Sequence, residues 1–129
     1  MDIKEKANQY HDKGFNCAQA VLCSCSGYTG LDEKTALAIA GGFGGGCRCG
    51  EICGAISGAI LTAGMCCQYV DEKDLETKEK IASLSRTITG AFREEFGFLR
   101  CEDLKGKQHT CSELISFAAE LAEKTVKDL

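Results

Sequence analysis

Residues 41–60 read GGFGGGCRCGEICGAISGAI. Gly41, Gly42, Gly44, Gly45 and Gly46 form a segment able to turn tightly. A residue without Cβ takes positive φ freely and lets another backbone or a ligand come close. The segment delivers Cys47, Cys49 and Cys53. The pattern then turns helical, with Ile52, Ile56, Ala59, Ile60 and Ala63 on one face. Gly54 and Gly58, one turn apart, invite close approach by a second helix. The spacing predicts a helix that begins near Gly50 or Glu51. Ile52 to Val70 carries no charge and approaches bilayer length. Gly54, Ser57, Gly58, Thr62, Gly64 and Gln68 dilute it, and Glu51 and Asp71 flank it where a spanning helix would carry Lys or Arg. A buried central helix is therefore expected, with no membrane insertion.

The rest of the chain reads as further helices around that one. Ile3, Ala7 and Tyr10 have helical spacing, and Gly14 suits the end of the helix. Asn16 is a good N-cap with Gln19 three residues on, ahead of the stripe Ala18, Val21, Leu22 and Cys25. Gly27 to Gly30 reads as a turn. Asp32 caps a third helix that buries Ala36, Leu37, Ile39 and Ala40 and dissolves at Gly41. After a charged loop at Asp71–Asp74, a helix runs from about Leu75 to Phe96 on Ile81, Leu84, Ile88, Ala91, Phe92 and Phe96. Gly97 to His109, with Cys101 and Gly106, reads as irregular. Thr110 and Glu113 form a capping box for a last helix with Leu114, Phe117, Ala118, Leu121 and Ala122 inward. No segment alternates with period two. The expectation is one all-α domain, residues 1–129, of about five or six helices.

A chain of 129 residues can bury a core without disulfides or metal. A net charge of -4 argues against nucleic acid as a partner. The outlier is cysteine, with 10. Met1 to Gly14 is charged and lacks the apolar run of a signal peptide, so the expected compartment is the cytoplasm, where thiols stay reduced. Ten thiols there point to metal, redox or reactive-thiol chemistry.

The motifs narrow this. The glycines do not fit the dinucleotide fingerprint, since Cys47 or Cys49 falls at its sixth position. Gly50 is followed by Glu51, not by the Lys-Ser/Thr of a phosphate loop. No C-x-x-C occurs, which removes thioredoxin-type and bacterial ferredoxin motifs. Cys49 and Cys53 have a spacing that zinc ligands use, whereas Cys23/Cys25 and Cys47/Cys49 are too close and Cys66/Cys67 adjacent. Cys25, Cys66 and Cys67 suit small buried hydrophobes, and Cys23 suits either role. Cys17, Cys53 and Cys111 differ, because each falls at the start of an expected helix. Unsatisfied N–H groups there favour the thiolate, the form that attacks or ligates. Arg48 should add to this at Cys53 and Glu51 should oppose it. The helix N–H groups should win, leaving Cys53 the most reactive thiol or the tightest ligand. His109 and His11 read as surface residues.

Several stretches together resemble the C-GCAxxG-C-C family, whose label suggests redox activity and no substrate. They are Phe15-Asn16-Cys17-Ala18-Gln19-Ala20-Val21-Leu22, Gly41 to Gly46 around Phe43, Cys53-Gly54-Ala55-Ile56-Ser57-Gly58-Ala59, Cys101, and Cys111 with Ala118-Ala119-Glu120. The resemblance covers nearly the whole chain. It implies a small bacterial cytosolic helical protein with signature cysteines at Cys17, Cys53, Cys101 and Cys111. Cys47 and Cys49 stand where the family has other residues. Three readings follow. In a thiol redox protein, Cys53 or Cys17 attacks a disulfide or small-molecule oxidant and Cys101 or Cys111 resolves the mixed disulfide. In a zinc or iron–sulfur module, the same four are ligands, with Cys47 or Cys49 able to substitute. In a plain helical interaction bundle, the cysteines are packing. The first two require Cys17, Cys53, Cys101 and Cys111 to converge.

Overall fold

The structure, a computed structural model, describes residues 1–105 and 109–129. Gly106 and its two followers lie outside the described residues. The helices are α1 (Ile3–Asp12), α2 (Cys17–Ser24), α3 (Ser26–Thr29), α4 (Glu33–Ala40), α5 (Gly54–Cys67), α6 (Leu75–Phe96), α7 (Cys101–Lys105) and α8 (Cys111–Val126). Among the described residues there is no strand, and the fold is all-α. A single antiparallel bridge joins Ile52 to Arg100. The helices beyond the expected five or six are α3 and α7, each too short to show a 3.6-residue period.

The caps follow from the sequence. Asp2, Asn16, Asp32, Asp74 and Thr110 each accept a hydrogen bond from a backbone N–H in the first turn that follows. The Asn16 box is complete: Gln19 N donates to Asn16 Oδ1 at 2.9 Å and Asn16 N donates to Gln19 Oε1 at 3.0 Å. At Thr110 the hydroxyl accepts from Glu113 N at 3.1 Å, while the Glu113 carboxylate turns to His109 Nδ1, 3.5 Å away.

Helix α5 is the axis of the packing. It lies against α2, α6 and α8, and α1 closes the layer across α2 and α8. Ala55, Ile56, Ala59 and Ala63 are wholly buried on it. Glycine is required at Gly58, where a Cβ would stand 2.8 Å from Ala18 O and 2.9 Å from Val21 Cβ. Gly58→Ala should therefore push α2 off α5 and cost about 1–3 kcal/mol as overpacking, read as a lowered urea midpoint with unchanged slope. A midpoint equal to wild type would show that the two helices separate freely. The helix is shorter than Ile52–Val70: Ile52 and Val70 are exposed beyond its ends. Among the described residues no helix is long and apolar enough to cross a membrane.

The main core joins α1, α2, α5, α6, α7 and α8 around Phe92, Ile56, Ile88, Leu104 and Ile115. Phe92 stacks against Phe96 and Phe117, with ring centroids 4.8 and 5.8 Å away. A smaller core under α4 holds Ala18, Leu22, Cys23, Ala36 and Ala40. Ile39 departs from the expected inward stripe and is 45% exposed. It turns instead into an open apolar groove shared with Leu31, Ile60, Leu61, Met65 and Tyr69.

Candidate functional site

The four cysteines named from the sequence all stand where helices begin. Cys17, Cys101 and Cys111 are the first residues of α2, α7 and α8, and Cys53 is the N-cap residue of α5. Cys101 was expected in an irregular loop. Glu102 and Asp103, acidic residues suited to a first turn, were the signal for a helix there.

Two backbone bonds hold the starts of α5 and α7 together. Cys53 N donates to Leu99 O at 2.8 Å, and Cys101 N donates to Glu51 O at 2.6 Å. Arg100 reinforces this join through Glu51, Glu102 and Asp103. The start of α2 is tied to the glycine segment, because Asn16 Nδ2 donates to Gly41 O at 3.1 Å and Gly44 has no room for a Cβ beside the Asn16 side chain. At Gly54 a Cβ would meet Phe43 O at 3.0 Å. The glycines thus bring the start of α5 and the segment before it against the start of α2.

The result is a four-thiol centre. Cys17 interacts electrostatically with Cys111, Cys53 and Cys101, most strongly with Cys111. Cys53 in turn feels Cys101 and Cys111. Cys53 and Cys101 are buried, at 2% and 8% exposure, whereas Cys17 and Cys111 are half-buried. The centre therefore has an inner pair and an outer pair. Phe96, Phe117 and His109 form one aromatic cluster; the His109 ring sits edge-on to Phe96 at 4.9 Å and is half-buried, not the solvent-facing loop residue expected.

The electrostatics reverse one expectation. Burial pushes the Cys17 thiol up to about 12, and the charges of its three cysteine neighbours push the same way. Burial also raises Cys53. The N–H groups of Ala55 and Ile56 do oppose the rise, as a helix start should, yet they do not overcome desolvation. The expected ready-made thiolate at Cys53 is overturned: the helix start is present, but it is sealed inside the protein.

The remaining cysteines lie elsewhere. Cys23 and Cys25 are buried and pushed up to about 11, each chiefly by burial. Cys66 and Cys67 are half-buried at the far end of α5. Cys47 and Cys49 are exposed on the turn between the glycines and Glu51, flanking an equally exposed Arg48. They are not among the thiols acting on Cys17 or Cys53. Among the described residues, no group of three or more His, Cys, Asp or Glu side chains could hold a metal ion as the side chains stand. The zinc or iron–sulfur reading of Cys17, Cys53, Cys101, Cys111, Cys47 and Cys49 has convergence of four thiols in its favour but not a ligand arrangement.

An all-α fold that gathers four free thiols at four helix starts defines a class of cysteine-centred helical protein. The family model described as "Putative redox-active protein (C_GCAxxG_C_C)" matches residues 15–125, and the chain belongs to this family. The match runs from two residues before Cys17 to the last turn of α8, so it includes all four central cysteines. No curated protein and no solved structure gives a match.

Proposed function

We propose that the four-thiol centre is a dithiol–disulfide couple, with Cys17 and Cys111 as its exchanging pair. The observation that carries this is the side-chain interaction of Cys17 with Cys111, both half-buried, in front of the buried Cys53 and Cys101. Ten free thiols suit the reducing cytoplasm, where such a couple would cycle against a disulfide-bearing partner or small molecule.

The roles follow from burial. Burial and the neighbouring cysteines raise the Cys17 thiol, so Cys17 is assigned the resolving step and Cys111 the attack. The Cys111 sulfur, as thiolate, attacks one sulfur of a substrate disulfide. That S–S bond breaks, and the leaving thiolate takes up a proton. Cys17 then gives up its proton and attacks the Cys111 sulfur of the mixed disulfide, releasing the second substrate thiol. Two electrons and two protons have passed to the substrate, and a Cys17–Cys111 disulfide remains. Exchange with a dithiol runs the same steps backwards. The inner pair, Cys53 and Cys101, has the same chemistry available behind the first.

The test is equilibration of the protein in glutathione redox buffers, followed by acid quench, alkylation and disulfide mapping by mass spectrometry. A reversible Cys17–Cys111 disulfide is expected, absent from Cys111→Ser. If the pair stays reduced in every buffer that oxidises exposed thiols, the proposal fails. Purification without chelator or oxygen is the second arm. About one equivalent of zinc or iron, lost in Cys17→Ser and Cys111→Ser alike, would replace the couple by a thiolate metal site.

A further inference from the structure

We propose that Cys47 and Cys49 form a surface thiol pair that exchanges with a peptidic disulfide and passes the oxidation through Cys101 to the inner pair of the centre. This rests on the dithiol reading of that centre. The family pattern does not supply these two residues; what points to them is the conformation and placement of the turn that carries them.

The turn is built against its own preferences. Gly45, Gly46, Cys47 and Arg48 are four consecutive residues in the left-handed region, with φ of 62, 63, 59 and 65°. Glycine accepts this, but each side-chain-bearing residue there costs about 1–2 kcal/mol. The conformation is over-determined from beneath. Cys47 N donates to Phe43 O at 3.2 Å, Glu51 N donates to Gly46 O at 3.0 Å, and a Cβ on Gly46 would collide with the Glu51 backbone. Its effect is to bury Gly44 and Gly46 and to leave Cys47, Arg48 and Cys49 exposed, with the Cys49 thiol donating to Gly46 O at 3.5 Å across the turn. Of the ten cysteines, all described, only these two are exposed. Cysteine is among the residues most often buried, so two held outward at a cost in strain point to use as thiols.

The same turn sits on the inner pair. Gly50, next to Cys49, packs against Glu102; a Cβ there would meet Glu102 Oε2 at 2.6 Å. The next residue, Glu51, takes the Cys101 N–H. Cys101, at 8% exposure, therefore lies under the turn at the edge of the centre, with Cys53 as its neighbour inside. Arg48 offers a cation to an incoming anionic peptide.

Each transfer balances. Cys49, as thiolate, attacks the substrate disulfide and expels one substrate thiol. Cys47 attacks the Cys49 sulfur, loses its proton and expels the second, leaving a Cys47–Cys49 disulfide. Cys101 then attacks the Cys49 sulfur and frees Cys47 as a thiol. Cys53 attacks the Cys101 sulfur and frees Cys49. The products are two substrate thiols and a Cys53–Cys101 disulfide, with the surface pair reduced again.

The experiment follows both centre disulfides over time as reduced protein meets glutathione disulfide, using quench, alkylation and mapping. In the double variant Cys47→Ser/Cys49→Ser, whose fold is checked by far-UV circular dichroism, Cys53–Cys101 should form about tenfold more slowly or worse. Cys17–Cys111 should form at the wild-type rate. In Cys53→Ser, a Cys49–Cys101 mixed disulfide should accumulate. An unchanged rate of Cys53–Cys101 formation in the double variant overturns the relay and leaves the dithiol centre standing. So does a Cys53→Ser protein that oxidises Cys47 and Cys49 without the mixed disulfide. If wild-type protein oxidises at Cys47 and Cys49 but forms neither centre disulfide, the dithiol reading fails and the relay falls with it.

Discussion

Raising the pH above about 9 is expected to unfold this protein far more readily than neutral solution does. In the unfolded chain its thiols ionise near pH 9. In the folded chain, burial holds Cys25 up to about 11, Cys23 to about 11 and Cys17 to about 12, and raises Cys53 as well. Tyr10 is held up to about 12 by burial and by its bond to Glu33, and it acts in the same direction. Between the two values the folded state binds more protons than the unfolded one, so stability falls as pH rises. The contribution is fully present below pH 9 and is lost as pH climbs through the folded-state values. Each such thiol contributes a slope of about 1.4 kcal/mol per pH unit, so the wholly buried Cys25 alone accounts for about 2–3 kcal/mol. Urea unfolding by circular dichroism at graded alkaline pH, with a non-thiol reductant, measures it. A midpoint that stays flat above pH 9 would mean that these thiols ionise within the fold.

Iodoacetamide labelling near pH 7 should leave Cys17 almost untouched. A thiol held near 12 carries about a thousandfold less thiolate in neutral solution than an ordinary one, and the thiolate is the species that reacts. Its rate should climb about tenfold per pH unit well past pH 9, where the urea-unfolded control levels off. Cys53, 2% exposed and raised by burial, should label no faster than Cys66 or Cys67. Mass spectrometry of the reduced protein after a timed pulse separates the sites. Fast labelling of Cys53 would show that the N–H groups of Ala55 and Ile56 outweigh desolvation. Slow labelling does not weaken the exchange proposed for Cys111, because Cys17 enters only after the mixed disulfide has formed.

Much of the fold is written in short-range signals. Asn16 with Gln19, Asp32 and Thr110 fix helix starts through bonds within one turn, so they are readable without knowing what packs on them. The periodic apolar residues of α6 gave its full span, Leu75–Phe96, because a long amphipathic helix repeats its signal many times. Gly54 and Gly58 announced a close contact on α5, although not that α2 and the glycine segment would be the elements pressed against it. That Cys17, Cys53 and Cys111 stand at helix starts was also legible, Cys17 and Cys111 from the caps before them, whereas Cys101 was picked out only by the family pattern.

What the sequence left undecided depends on burial and on long-range contact. The helix-start argument for Cys53 was sound as local electrostatics, yet its sign at that site is set by how much protein surrounds the sulfur, which only the packing of α5 decides. Ile39 matched the inward period of α4 and still faces a groove, because no further helix among the described residues covers that side. α7 is five residues long and carries too few turns for periodicity to show. The division of the four thiols into an outer and an inner pair depends on the bonds joining Glu51 to Cys101 and Leu99 to Cys53. Those partners are about fifty residues apart in the chain, beyond the reach of any spacing rule, and tertiary structure alone brings them together.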